Sequence, residues 1–408
     1  MDRTLSELLA KGDDAHAAVG SPDGSAMSYA ALRDQCRRTA EDLSRHGLGG
    51  NDRVAIVLPN GPQMATSFLA IASVATAAPL NPAYTDAEFE FYFSDLRAKA
   101  LVVASGTETR AREVALRLGI HVIELAAATD LPAGGFDLDF ATMPASGAGK
   151  AVGVDDIALV LHTSGTTSRP KIVPLSQANL CASAAHVSRV LSLTSDDRCL
   201  NVMPLFHIHG LIAAVLSSLY AGGSVNCTPG FNALKFFTWL KAAQPSWYTA
   251  VPTMHQAVLE RAGRNREIVA NSPLRFIRSS SSSLPPPVMQ RLEQAFSCPV
   301  IESYGMTEAA HQMTSNELPP GERKPGSVGV SAGPEVRIMD AAGTFVGSTV
   351  EGEIVIRGAN VTHGYDASPE ANAHAFVADP DGGGDWLRTG DQGVFDEDGF
   401  LTISGRLK

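Results

Sequence analysis

Cysteine is scarce in this chain: five in 408 residues, at Cys36, Cys181, Cys199, Cys227 and Cys298, with no close pair. That spacing argues against a zinc cluster and a disulfide framework, and it fits a reducing, cytoplasmic setting. Positive charge is also short. Lys and Arg total 32 against 43 Asp and Glu, a formal net charge of −11. Nucleic acid as the main partner is therefore not expected, because phosphate backbones reward clustered Lys and Arg. Small phosphate esters stay open, since they need only a local positive pocket. Long apolar runs are missing too. The longest, Phe68 to Leu80, is broken by Ser and Thr and is too short to span a bilayer. The start has no basic segment followed by an apolar core, so no signal peptide is read there. No internal repeat of solenoid period appears, and no composition bias marks disorder: 44% of residues are hydrophobic and 18% charged.

What is present begins with alternation. Tyr29 to Gly47 has helical periodicity and ends at a glycine. Asp52 to Leu58 reads as a buried strand closed by the turn Pro59-Asn60-Gly61. Gln63 to Thr76 reads as helix, and Ala100 to Val103 as a second strand. The alternation resumes from Ile157 to Met313. Such a pattern predicts parallel sheets covered by helices. After Glu317 glycines multiply and short β-rich runs appear at Glu335 to Met339, Gly352 to Arg357 and Phe400 to Ser404, a texture that predicts a small β-barrel or meander. The expected fold is α/β: two doubly wound, helix-covered sheets over residues 1–317, then a small distorted β-barrel over 318–405.

The densest chemistry lies at His162-Thr163-Ser164-Gly165-Thr166-Thr167-Ser168-Arg169-Pro170-Lys171, just after the strand-like run Ile157 to Leu161. Hydroxyls, free backbone N–H groups and an ammonium are what a loop needs to hold a polyphosphate. The spacing is not that of a Walker loop. Four further segments accompany it: Tyr304-Gly305-Met306-Thr307-Glu308, Gly352-Glu353-Ile354-Val355-Ile356-Arg357-Gly358, Arg388-Thr389-Gly390-Asp391 and Gly405-Arg406-Leu407-Lys408.

These five segments, in this order and at about this spacing, resemble the signatures of the adenylate-forming enzymes, which include acyl-CoA synthetases and peptide-synthetase adenylation domains. The resemblance covers essentially the whole chain. It implies a large N-terminal AMP-binding domain over residues 1–408, with 406–408 opening a hinge at Lys408. The smaller C-terminal lid domain, which carries a lysine used in adenylation, is expected to be missing. It implies ATP with Mg²⁺, CoA as co-substrate, and only small molecules as partners. Nothing in the sequence speaks to oligomeric state.

Carried over position by position, the resemblance assigns Thr163, Ser164, Thr166, Thr167 and Lys171 to the β- and γ-phosphates, with Gly165 among the nucleotide-binding residues. Thr307 and Glu308 meet the α-phosphate and its Mg²⁺, with Glu308 the metal ligand. Thr163, Lys171, Thr307 and Glu308 form the catalytic set. Ser281, Ser282, Ser283, Glu302, Ser303, Tyr304, Gly305 and Met306 are expected along the nucleotide, Asp391 on the ribose hydroxyls, and Arg406 on ribose or phosphate. In Met203-Pro204-Leu205-Phe206-His207-Ile208-His209-Gly210, His207 falls where an aromatic ring gates the acyl tunnel. His209 reads equally well as a packed loop residue.

More narrowly, the phosphate segment, Trp247 to Thr253, Arg275 to Ser279 and Met306 to His311 look like the oxalate–CoA ligases of plants and fungi. Ser168 stands where most relatives have Gly. Ser281 and His311 fall where that group is expected to hold a far carboxylate, giving His207, Ser281 and His311 as the acyl-side residues. The all-serine run Ser279 to Ser283 departs from relatives that mix in Cys and Ala. Three readings stay open on sequence: an acid–thiol ligase for a small polar or a fatty acid, an acyl-AMP ligase loading a carrier protein, and a non-catalytic nucleotide-binding module.

Overall fold

A computed structural model describes residues 3–22, 26–127, 132–163, 170–379 and 382–407. Three sheets organise them. In the first, strands Arg53–Val57, Thr76–Pro79, Ala100–Ala104, His121–Ala127 and Ile157–Thr163 run parallel. Phe136–Asp139 and Lys171–Ser176 close its two edges antiparallel. The second has nine strands, with a parallel centre from Ala17–Gly20 through Ser224–Cys227, Arg198–Asn201, Trp247–Ala250 and Phe276–Ser279 to Val300–Met306. The third is a six-stranded antiparallel sheet, a curled half-barrel built on Gly352–Arg357 and Trp386–Phe395.

The core lies between the two large sheets. Helix Pro62–Ala72 packs on both, touching strands Arg53–Val57 and Thr76–Pro79 on one side and Ala17–Gly20 on the other. It is buried continuously from Met64 to Ala72. A helix covered on all sides carries no polar stripe, which is why that stretch reads as an unbroken apolar run. Helix Gln177–Val190 takes a second place in this layer, against the edge of the first sheet and strand His311–Ser315.

Several expectations shift. The segment Gln63 to Thr76 is not one helix: it ends at Ala72, and Thr76 already belongs to a strand. Burial on both faces removed the periodicity that would have marked the change. The serine run begins inside a strand, Phe276–Ser279. The third sheet begins at Glu335 rather than directly after Glu317, because Val330–Ser331 still pairs with His311–Ser315 at the edge of the second sheet. Antiparallel edge strands of a large sheet have the same β-rich texture as the half-barrel beyond them.

Candidate functional site

The three sheets meet at one cleft of about 800 Å³, in the range of ordinary ligand sites. The first sheet contributes Thr163 and Lys171, the second Ser303 to Met306 at the carboxyl end of its strand, and the third Glu353, Arg388 to Asp391 and Arg406. A crevice at the carboxyl ends of parallel strands is the usual ligand position in such sheets.

Strands Ile157–Thr163 and Lys171–Ser176 form an antiparallel pair with Thr163 opposite Lys171. The two residues therefore face each other at the neck of the phosphate segment, which joins two strands rather than a strand and a helix. Ser164, Gly165, Thr166 and Thr167 lie outside the described residues, as does Lys408. The Lys171 ammonium stands 4.7 Å from the centre of the Tyr365 ring.

The second signature is a tight reversal. Val300–Met306 runs out of the sheet, one short turn covers Thr307–Ala309, and Ala310 takes a left-handed conformation (φ 46°). The chain then returns as His311–Ser315, with Met306 paired to His311. Glu308 sits in this turn, 5% exposed, its Oε1 accepting from the Tyr365 hydroxyl at 2.9 Å. Burial pushes its carboxyl up, against hydrogen bonds from its own backbone and Tyr365 and the charges of Lys171 and Arg406.

The third and fourth signatures serve each other. Glu353 accepts from Arg388 Nε at 2.8 Å and from the Gly390 amide at 3.1 Å, while the Thr389 hydroxyl donates to the Ile354 carbonyl at 2.8 Å. Gly390 has φ 74°, a kink that a side chain rarely allows. This turn presents Asp391 to the cleft. Tyr304 donates to Asp391 Oδ2 at 2.5 Å, and Arg406 Nε stands 3.7 Å from Oδ1. A carboxylate fixed this way can still take O–H donors.

The serine run is not a linker. Ser279 and Ser280 are buried, and Ser280 donates to the Ser303 carbonyl at 3.0 Å. Ser281, Ser282 and Ser283 then line the cleft, beside His207. Ser281 has φ 69°, a conformation uncommon outside glycine.

Two of the expected residues stand elsewhere. Glu302 is 1% exposed and does not line the cleft. Its Oε1 accepts from the Leu284 amide at 2.8 Å, and its Oε2 has no partner, so it anchors the serine segment from inside. Burial lifts its carboxyl to about 7. Alternation along the strand turns Glu302 into the core. His311 is also fully buried, one layer behind the wall. Its Nε2 lies 3.0 Å from Arg278 Nη2, and its ring stacks on His209 at 5.0 Å. His209 in turn lies 3.0 Å from the Ser281 hydroxyl and 2.6 Å from that of Thr249. Burial first, then the Arg278 charge, holds both histidines well below the usual range, hence neutral.

Sequence reasoning missed three residues of this site. Glu353 lay inside a quoted segment but had no role. Tyr365, which meets both Glu308 and Lys171, follows a lone glycine with no other signal. Arg278 is a charged residue in the middle of the buried run Phe276–Ser279, and that incongruity was legible.

Residues 6–366 match the AMP-binding enzyme family. The chain belongs to that family. It is 45% identical to an oxalate–CoA ligase of Arabidopsis thaliana over 390 residues, 94% of this chain and 74% of that protein. It is 40% identical to an oxalate–CoA ligase of Saccharomyces cerevisiae over 385 residues, 88% of this chain and 68% of that protein. The crystal structure of ATP-bound MatB from Rhodopseudomonas palustris superposes with a TM-score of 0.86 at 30% identity, covering all of this chain and 79% of that one. As an AMP-binding family member the chain has its cleft where the signature segments converge. Among the described residues no helix is long and apolar enough to cross a membrane.

Lys171→Ala is expected to raise the Kd for ATP about 10- to 150-fold, the cost of about 1.5–3 kcal/mol for a lost hydrogen bond to a charged group. Calorimetric titration checks this. Unchanged affinity would separate Lys171 from the phosphates.

Proposed function

We propose that this protein is an ATP-dependent carboxylate–CoA ligase that forms an acyl-adenylate of a small dianionic acid, oxalate being the first choice, and passes the acyl group to CoA. The observation that carries the substrate reading is the polar wall beside the nucleotide residues. Ser281 is backed by two neutral histidines and a buried arginine, where a fatty chain would want an apolar tunnel. The names of the two ligase relatives support the same reading.

A carboxylate is a poor acyl donor because its oxygen leaves badly. Adenylation converts that oxygen into part of AMP, and catalysis is positioning and charge neutralisation around the α-phosphate. Lys171 and Thr163 hold the outer phosphates, and Asp391 holds the ribose hydroxyls with Tyr304 and Arg406 bracing it. Glu308 is a buried carboxylate in the cleft wall with one oxygen on Tyr365. No group of three or more His, Cys, Asp or Glu that could hold a metal occurs among the described residues. That donor set fits Mg²⁺, which takes few protein carboxylates and completes its octahedron with phosphate and water. When bound, the ion would neutralise phosphate charge. Ser281 in the wall binds the far carboxylate, with His209 and then His311 behind it, since a second buried charge needs partners. The five widely spaced cysteines support a cytoplasmic enzyme.

The test is acid-dependent pyrophosphate release by the full-length protein over oxalate, malonate, acetate and hexanoate. Oxalate is expected to lead. His311→Ala, which removes the ring stacked behind His209 and Ser281, should raise the KM for oxalate roughly tenfold, about 1.4 kcal/mol, and the KM for ATP far less. A preference for hexanoate over both dicarboxylates would refute the substrate assignment.

A further inference from the structure

The guanidinium of Arg278 is fully buried, and no acidic side chain pairs with it among the described residues. Its Nη2 donates to His311 Nε2 at 3.0 Å and to Gln312 Oε1 at 3.2 Å, while Nε and Nη1 have no partner. Burial lowers Arg278 to about 9, so it stays charged at neutral pH. An uncompensated buried cation is costly to folding and rare without a function. It is aligned with the cleft through a continuous series: Arg278, then His311, then the stacked His209 ring, then Ser281 in the wall.

The guanidinium can only donate, so the Nε2 of a neutral His311 must accept, and the ring proton resides on Nδ1. The backbone here is held in unfavourable territory. His311 has φ 102°, Ala310 has φ 46° and Ser281 has φ 69°. Strain concentrated at three residues around one cluster marks a geometry that packing enforces.

We propose that Arg278 is the positioning residue of the acid subsite: it locks His311 in the Nδ1–H tautomer against the stacked His209 that holds Ser281 in the wall, and supplies the positive field that favours a doubly charged acid over a singly charged one. The inference rests on the dianionic-acid reading above and adds the group that sets it. In the free enzyme Arg278 is an uncompensated charge. In the complex the second carboxylate of the acid, held at Ser281, offsets that charge across the two neutral rings. A monocarboxylic acid leaves it as it was, and that difference is the specificity.

The experiment compares wild type, Arg278→Met and Arg278→Lys in the full-length protein, with oxalate and with acetate. Arg278→Met is expected to lower kcat/KM for oxalate more than tenfold, chiefly through KM. The acetate value and the KM for ATP should move less than threefold. Arg278→Lys, which keeps the charge, should recover part of the oxalate preference. Nitrogen-15 NMR of histidine-labelled wild type should show His311 protonated at Nδ1 and bare at Nε2, a readout that needs no variant to fold. A wild type without preference for oxalate over acetate refutes the dianionic-acid reading and this inference with it. A clear preference that survives Arg278→Met, or a His311 protonated at Nε2, refutes the inference alone.

Discussion

Glu308→Gln should slow adenylate formation by on the order of 10²–10³-fold, the scale seen when one preorganised charge-stabilising contact is removed from a transition state. The substitution keeps the side-chain oxygen that accepts from Tyr365 and keeps the volume, so the turn Thr307–Ala309 has no reason to open. It removes the negative charge and, with it, the proposed ligand for Mg²⁺. Ground-state ATP binding is proposed to rest more on Lys171, Thr163 and Asp391, so its Kd is expected to stay within about tenfold, or roughly 1.4 kcal/mol. Single-turnover pyrophosphate release beside calorimetric ATP titration separates the two effects. A rate within threefold of wild type would remove Glu308 from the reacting centre.

Gly305→Ala is expected to cost on the order of 3 kcal/mol of stability, the upper end of overpacking, and to abolish most activity. A Cβ on Gly305 would lie 1.7 Å from the His311 carbonyl oxygen, a backbone atom that no rotamer change can move. Relief requires parting Val300–Met306 from His311–Ser315, the two strands whose connecting turn carries Thr307 and Glu308. Gly347→Ala is the control, since nothing lies within 4 Å of its built Cβ. Equal denaturation midpoints for the two variants would contradict the close approach.

The second signature thus contains two kinds of residue. Thr307 and Glu308 line the cleft and are the ones proposed to meet ligand, whereas Gly305 is there because strand pairing leaves no space. Composition and periodicity made the α/β class and the switch to β-rich texture legible, since parallel strands buried on both faces read as apolar runs. They could not show that Ala17–Gly20, at the start of the chain, pairs with Ser224–Cys227 in the second sheet. Nor could they end helix Pro62–Ala72 correctly, because full burial erases the polar stripe.

The proposed nucleotide site draws on short runs of neighbours. A phosphate needs several donors within a few ångströms, and a short loop supplies them from neighbours in sequence, so Thr163, Lys171, Tyr304 to Glu308 and Asp391 stand out in the bare chain. The acid subsite and the braces around the nucleotide are assembled from residues that are distant in sequence. Arg278 and His311 are 33 positions apart, Glu353 and Arg388 are 35, Glu308 and Tyr365 are 57, and His209 and Ser281 are 72. No local pattern encodes such pairs. Strand register and the crossing of three sheets bring them together, and burial leaves Arg278 without a counter-charge, the feature on which the proposed acid preference rests.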